Sequence, residues 1–170
     1  MNSVLILKTM ISTTTVENIA TYLKKEKSKT VAMCNTNTLV RSYRDNVIRD
    51  KINSFDIKAP DGFPVAKSSK ILYKNNQNRV DGFKVFHKTI ESGINEELTH
   101  YFYGSNRKVI GLMIKNLKLI YPKINIVGFS CPPIKTYKEL TEEQYVKDLN
   151  DKNANIVWVS LGFPKQEEFI

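Results

Sequence analysis

Apolar positions along this chain fall into short blocks that alternate between a strand-like period and a helical one. Thr14 and Glu17 spell a capping box ahead of a short amphipathic helix over Val16–Leu23. Thr30–Cys34 reads as a strand. Leu39–Ile52 reads as a helix, with Leu39, Val40, Tyr43, Val47 and Ile48 turned inward. A short strand over Phe55–Ala59 delivers Asp61-Gly62, and Pro64 opens a helix to Tyr73. Asp81 is placed to cap a further helix through Phe83, Val85, Phe86 and Ile90.

The second half repeats the alternation. Thr99–Tyr103 predicts a strand closed by Gly104-Ser105, and Val109–Tyr121 carries clean helical spacing. A strand over Ile124–Phe129, a helix over Thr141–Asn153 and a last strand over Ile156–Leu161 follow. That last run, apolar throughout, suits a strand buried on both faces. Ser130–Leu140, with Pro132-Pro133, is the longest irregular piece. Alternating strands and helices predict an α/β fold: one Rossmann-like domain over residues 1–170, its sheet mostly parallel with helices on both faces.

Composition narrows the partners. With 26 Lys and Arg against 17 Asp and Glu, the chain carries a net charge of +9. That balance favours an anionic partner, although a general lysine bias would give the same figure. The lysines are scattered, and the aromatic residues do not follow an RNA-binding strand pattern, so nucleic acid is not expected. No apolar run approaches the ~20 residues that cross a bilayer, and Val4–Leu7 is cut off by Lys8 before a secretory core could form. Cys34 and Cys131 lie outside metal spacing and are expected to be reduced thiols in the cytoplasm.

The residues able to carry chemistry cluster at predicted strand ends, where α/β enzymes build sites. Asp61 can act as a general base, with Gly62 freeing space beside it; an Asp-Gly turn with no further role is the plainer alternative. Asn35 can hydrogen-bond a sugar or a uracil edge, while Asn37 and Thr38 suit helix capping. Arg79 can hold a diphosphate bidentately or form an ordinary surface ion pair. Gly104 ends a strand in a turn that lets a nucleotide backbone approach the following helix amides. At Gly162-Phe163-Pro164-Lys165-Gln166-Glu167, Lys165 can neutralise phosphate charge and Gln166 can contact a sugar or phosphate; a solvated first helical turn is the plainer alternative, although Lys165 there opposes the helix dipole. No Asp-x-Asp, Walker A or zinc spacing occurs, so neither a metal nor a cofactor is expected.

Asn35, Ala59–Val65, Arg79–Gly82, Phe102–Gly104 and Asn153–Glu167, in this order and at these distances, resemble the signature of the WecG/TagA/CpsF glycosyltransferases, bacterial enzymes of surface-polysaccharide and teichoic-acid synthesis. The likeness runs from about residue 30 to 170. It implies inverting, metal-independent transfer of a hexosamine resembling N-acetylmannosamine from a UDP-sugar to a polyprenyl-diphosphate-linked sugar. It implies Asp61 as catalytic base, with Asn35, Thr36, Gly62, Arg79, Gly104, Gly162, Lys165, Gln166 and Glu167 on the substrates. Met33 stands where the family has an active-site threonine, and Thr36 is the nearby hydroxyl. The resemblance further implies a peripheral place on the inner face of the cell membrane, at an anionic surface, with self-association among the expectations. Family members continue past the Pro-Lys-Gln-Glu block, so the 170 residues are expected to lack the C-terminal part of the family domain. A non-catalytic nucleotide- or polyanion-binding Rossmann-like module is the competing expectation.

Overall fold

The computed structural model describes residues 2–170, which divide into two compact units, one ending at Thr89 and one spanning Ile90–Ile170. The first unit opens with strands β1 (Ser3–Ile6) and β2 (Thr9–Ser12), paired antiparallel. The two-residue turn Leu7-Lys8 has φ of 45° and 63°, the left-handed conformation a tight hairpin needs and that Asn-Gly usually supplies. Leu-Lys carries no such mark, so the local sequence does not disclose the hairpin. Helix α1 (Val16–Lys25) is capped by Thr15, whose hydroxyl accepts from Asn18 N–H, rather than by Thr14.

Strand β3 (Val31–Cys34) pairs in parallel with β4 (Ile57–Pro60), Cys34 lying opposite Pro60. Two helices connect them where one was expected: α2 (Thr36–Arg44) and α3 (Asn46–Ser54). Asp45 ends the first and caps the second, its carboxylate accepting from Val47 and Ile48 N–H at 2.8 and 3.2 Å. Local side-chain capping outcompetes helix continuation here. The cap of α2 is likewise Asn35, not Asn37 or Thr38. Helix α4 (Phe63–Tyr73) follows Gly62, and α5 (Gly82–Gly93) follows Asp81. Ile19 of α1, Ile57 and Ala59 of β4, Val80 and Val85 form one buried cluster, with Val16, Val31 and Met33 packed against it. That cluster is the floor on which the strand ends stand.

In the second unit, β5 (Thr99–Gly104) is the centre of a parallel three-stranded sheet, flanked by β6 (Asn125–Ser130) and β7 (Ile156–Ser160). Parallel strands joined through helices give the expected α/β, Rossmann-like character. Helix α6 (Arg107–Ile120) crosses from β5 to β6, while α7 (Tyr137–Leu140) and α8 (Glu143–Lys152) lead to β7. The short α7, with a Thr136–Glu139 capping box, falls inside the stretch expected to be irregular. The expectation that β7 is buried on both faces fails. Val157 is exposed, Trp158 and Val159 are half-buried, and Ile156 alone is fully buried. The strand paired on both sides among the described residues is β5, and its residues from His100 to Gly104 are all buried. Helix α9 (Lys165–Phe169) ends the described chain.

Candidate active site

A parallel β-α-β arrangement brings the ends of neighbouring strands side by side, and the first unit uses this at β3 and β4. Asp61 N–H donates to the Cys34 carbonyl at 3.0 Å, which fastens the β4 exit beside the β3 exit. Asn35 and Asp61 therefore leave adjacent strands as neighbours. Gly62 turns the chain at φ 98° and ψ 143°, a conformation that only glycine adopts without strain. With Pro64 in the first turn, α4 then starts one residue later.

The segment carrying Arg79 is laid along the same edge by Val80 N–H, which donates to the Pro60 carbonyl at 3.0 Å. Arg79 Nη2 lies 2.9 Å from Asp81 Oδ2, and its Nε lies 3.8 Å from Asp61 Oδ1. Burial raises the Asp61 carboxyl above the usual carboxylate range, opposed by the nearby Arg79 and reinforced by Asp81. A carboxylate made more basic, at a strand exit and beside a guanidinium, has the character of a general base. Asn35 Oδ1 is taken up by the Thr38 N–H at 3.1 Å, which leaves its amide nitrogen as the donor for a ligand. Thr36, in the first turn of α2, is exposed. Met33 lies against the start of α5, since a Cβ placed on Gly82 would stand 3.6 Å from its Cε and Cγ.

The structure adds two features that the sequence reading missed. Asp81, expected only as a helix cap, is also the closer partner of Arg79. A cleft of ≈ 330 Å³ also borders Arg79, lined by Thr13, Thr14, Thr15, Asn76 and Asn78 among others. Threonines and asparagines that far apart in the chain carried no motif, so no local pattern disclosed the cleft.

The second unit holds the remaining candidates. Gly104 has φ 117°, and a Cβ there would stand 2.1 Å from the Ser160 carbonyl oxygen, so the β5–β7 contact itself demands glycine. Ser105 N–H donates to that carbonyl at 3.0 Å, and Asn106 caps α6 by accepting from Val109 N–H. Gly162 has φ 79° with open space beside it, and its carbonyl accepts from Gln166 N–H. Lys165 and Gln166 are half-buried, and Glu167 is 5% exposed. Gln166 Nε2 donates to Glu167 Oε1 at 2.9 Å, while Glu167 Oε2 is buried without a hydrogen-bond partner. Burial raises the Glu167 carboxyl, with the Gln166 hydrogen bond opposing it. An unsatisfied buried oxygen marks a place where a donor is missing.

Residues 4–170 match the sequence profile of the glycosyl transferase WecG/TagA/CpsF family. The chain belongs to that family. It is 27% identical over 150 residues to the N-acetylglucosaminyldiphosphoundecaprenol N-acetyl-beta-D-mannosaminyltransferase of Bacillus spizizenii W23, a match covering 88% of this chain and 56% of the relative. The Bacillus subtilis 168 protein of the same name is 25% identical over 149 residues, with the same coverage of each chain. That of Staphylococcus aureus NCTC 8325 is 24% identical over 157 residues, covering 91% of this chain and 60% of the relative. The chain thus spans somewhat over half the length of these relatives.

Proposed function

We propose that this chain is the glycosyltransferase domain, or a major part of it, of an enzyme that moves an N-acetylmannosamine-like hexosamine from a UDP-sugar to a polyprenyl-diphosphate-linked sugar. The observation that carries the reading is the Asp61–Arg79 pair at the exit of β4, a raised carboxylate 3.8 Å from a guanidinium. In an inverting displacement Asp61 takes the proton of the acceptor hydroxyl, whose oxygen attacks the anomeric carbon opposite the UDP group. The bond to the diphosphate breaks, and its electron pair leaves with UDP. Arg79, beside Asp61 in the first unit, is the cation offered to that leaving charge. Asn35 through its amide and Thr36 through its hydroxyl are the groups offered to sugar hydroxyls, and Gly62 keeps backbone open beside Asp61. No metal is assigned a part.

The surface of the first unit supports an approach to an anionic membrane. Phe63, Ile71 and Leu72 of α4 are each more than 60% exposed and are interleaved with Lys67, Lys70 and Lys74, and the helix has no acidic residue. Tyr73 OH donates to the Leu5 carbonyl at 2.7 Å, joining this helix to the hairpin where Leu5, Leu7 and Lys8 are exposed. Apolar side chains among lysines suit the headgroup region of anionic lipid. This face begins two residues beyond Asp61, which supports a lipid-anchored acceptor as the substrate of the proposed base.

The test is transfer from UDP-N-acetylmannosamine to a short-chain polyprenyl-diphosphate N-acetylglucosamine acceptor, alongside UDP binding by calorimetry. Asp61→Asn is expected to lower transfer by ~10²-fold or more while UDP still binds. Equal transfer by both proteins removes Asp61 from the mechanism. Salt-sensitive RNA binding without selectivity for UDP would instead favour a polyanion-binding module.

A further inference from the structure

Arg79 is shared unequally between two carboxylates. Its Nη2 makes a 2.9 Å contact with Asp81, and only its Nε reaches toward Asp61, at 3.8 Å. Asp81 is itself immobilised. Its Oδ1 accepts from Phe83 N–H at 2.9 Å at the start of α5, which leaves Oδ2 for the guanidinium. One carboxylate thus spends one oxygen on the helix and the other on Arg79. Asp61 is met by the Gly62 N–H and by only the longer of the two Arg79 contacts, although the same arginine stands within reach.

We propose that Asp81 is a positioning residue that holds Arg79 away from Asp61 and so keeps the Asp61 carboxylate open to an incoming hydroxyl. The physical need is plain. A guanidinium closing bidentately on Asp61 would occupy the lone pairs that a base must offer and would stabilise its ionised form. Asp81 competes for the same donors from a rigid helix start, 20 residues further along the chain, and the arginine stays poised where a diphosphate can take over its donors. The inference rests on the reading of Asp61 as the base and gives Asp81 a part distinct from capping. The charges acting on Asp61 are those of Arg79, which lowers its carboxyl, and Asp81, which raises it.

The experiment is a carboxyl carbon NMR titration of Asp61 in the 170-residue chain, carried out on the wild type, Asp81→Asn, Arg79→Ala and the double variant. Asn caps helices as well as Asp does, so Asp81→Asn preserves the start of α5 while removing the competing charge. The Asp61 titration is expected to move to lower pH in Asp81→Asn, and to move less when the same change is made in the Arg79→Ala background. In transfer assays the acid limb of the pH profile should shift down with it, and the plateau should fall by ~10-fold as the base weakens. An equal titration shift with and without Arg79 would reduce Asp81 to a simple neighbouring charge and overturn the proposal, as would no shift. Should Asp81→Asn itself unfold, the Asp61 titration in Asp81→Ser, which also caps, decides by the same criterion. The titration reads the positioning alone, whereas normal transfer by Asp61→Asn would sink the reading of Asp61 as base and leave the titration result standing.

Discussion

Gln77 clasps Thr14 across 63 positions of sequence. Its side-chain oxygen accepts from Thr14 N–H at 2.9 Å, and its nitrogen donates to the Thr14 carbonyl at 2.8 Å. The same nitrogen donates to the Asn78 carbonyl at 2.6 Å, and Gln77 is 5% exposed. The clasp ties the segment that carries Arg79 to the approach of α1, and it forms one wall of the cleft beside Arg79.

Removing that amide should therefore cost stability out of proportion to its size. Gln77→Ala leaves the Thr14 N–H and carbonyl buried without partners, a loss of about 2–4 kcal/mol. The melting temperature should fall by roughly 4–16 °C for a chain of this length. Thermal unfolding followed by circular dichroism checks it, and an unchanged midpoint would mean that water replaces the clasp.

Acid should loosen the second unit through His100. The ring is 1% exposed on β5, accepts the Trp158 indole N–H at Nδ1 at 3.2 Å, and is pushed down to about 4 by burial. The unfolded chain takes up its proton near pH 6.5, so the stability from the neutral ring is full above that pH. It is lost as the pH falls from about 6.5 toward 4, by an amount on the order of 3 kcal/mol. His100→Gln should flatten this part of the profile when urea midpoints are compared at pH 7 and 4.5. Identical slopes for the two proteins would assign the acid sensitivity elsewhere.

UDP binding should not depend on a divalent cation. The sequence contains no Asp-x-Asp, and the cation proposed for the diphosphate is Arg79. Calorimetric titration with EDTA and with added magnesium should give the same affinity. A tenfold loss on chelation would place a metal in the reaction.

The basic and apolar face of α4 should carry membrane affinity. The triple change Lys67→Glu, Lys70→Glu and Lys74→Glu is expected to weaken sedimentation with phosphatidylglycerol vesicles by at least ~10-fold, since each lysine near an anionic surface contributes about 1 kcal/mol. Binding to neutral phosphatidylcholine vesicles should be weak for both proteins. Equal binding by wild type and variant would direct the membrane contact to another surface.

Much of this architecture was legible because it is written in neighbouring residues. The strand over Val31–Cys34, the Asp61-Gly62 turn, the α4 start at Phe63-Pro64 and the helical spacing after Arg107 all follow from local periodicity and turn chemistry. The resemblance blocks pointed to Asp61 and Arg79, and the structure sets these two side by side. Local signals also misled where two of them competed. Asp45 broke the helix expected over Leu39–Ile52, because a good cap can end one helix and begin another without leaving the pattern.

Sequence by itself determined the alternation of elements and the residue types waiting at the strand ends, since backbone propensity, capping and periodicity act over a few residues. Tertiary structure alone decided that Leu7-Lys8 turns a hairpin, that β7 is partly exposed while β5 is buried, that Gln77 clasps Thr14, and that Asp81 rather than Asp61 holds Arg79 most closely. Each of these depends on which distant backbone or side chain arrives to meet a donor or cover a surface. That outcome belongs to the packing of the whole unit, because hydrogen bonds and ion pairs act through space at about 3 Å and are blind to separation along the chain.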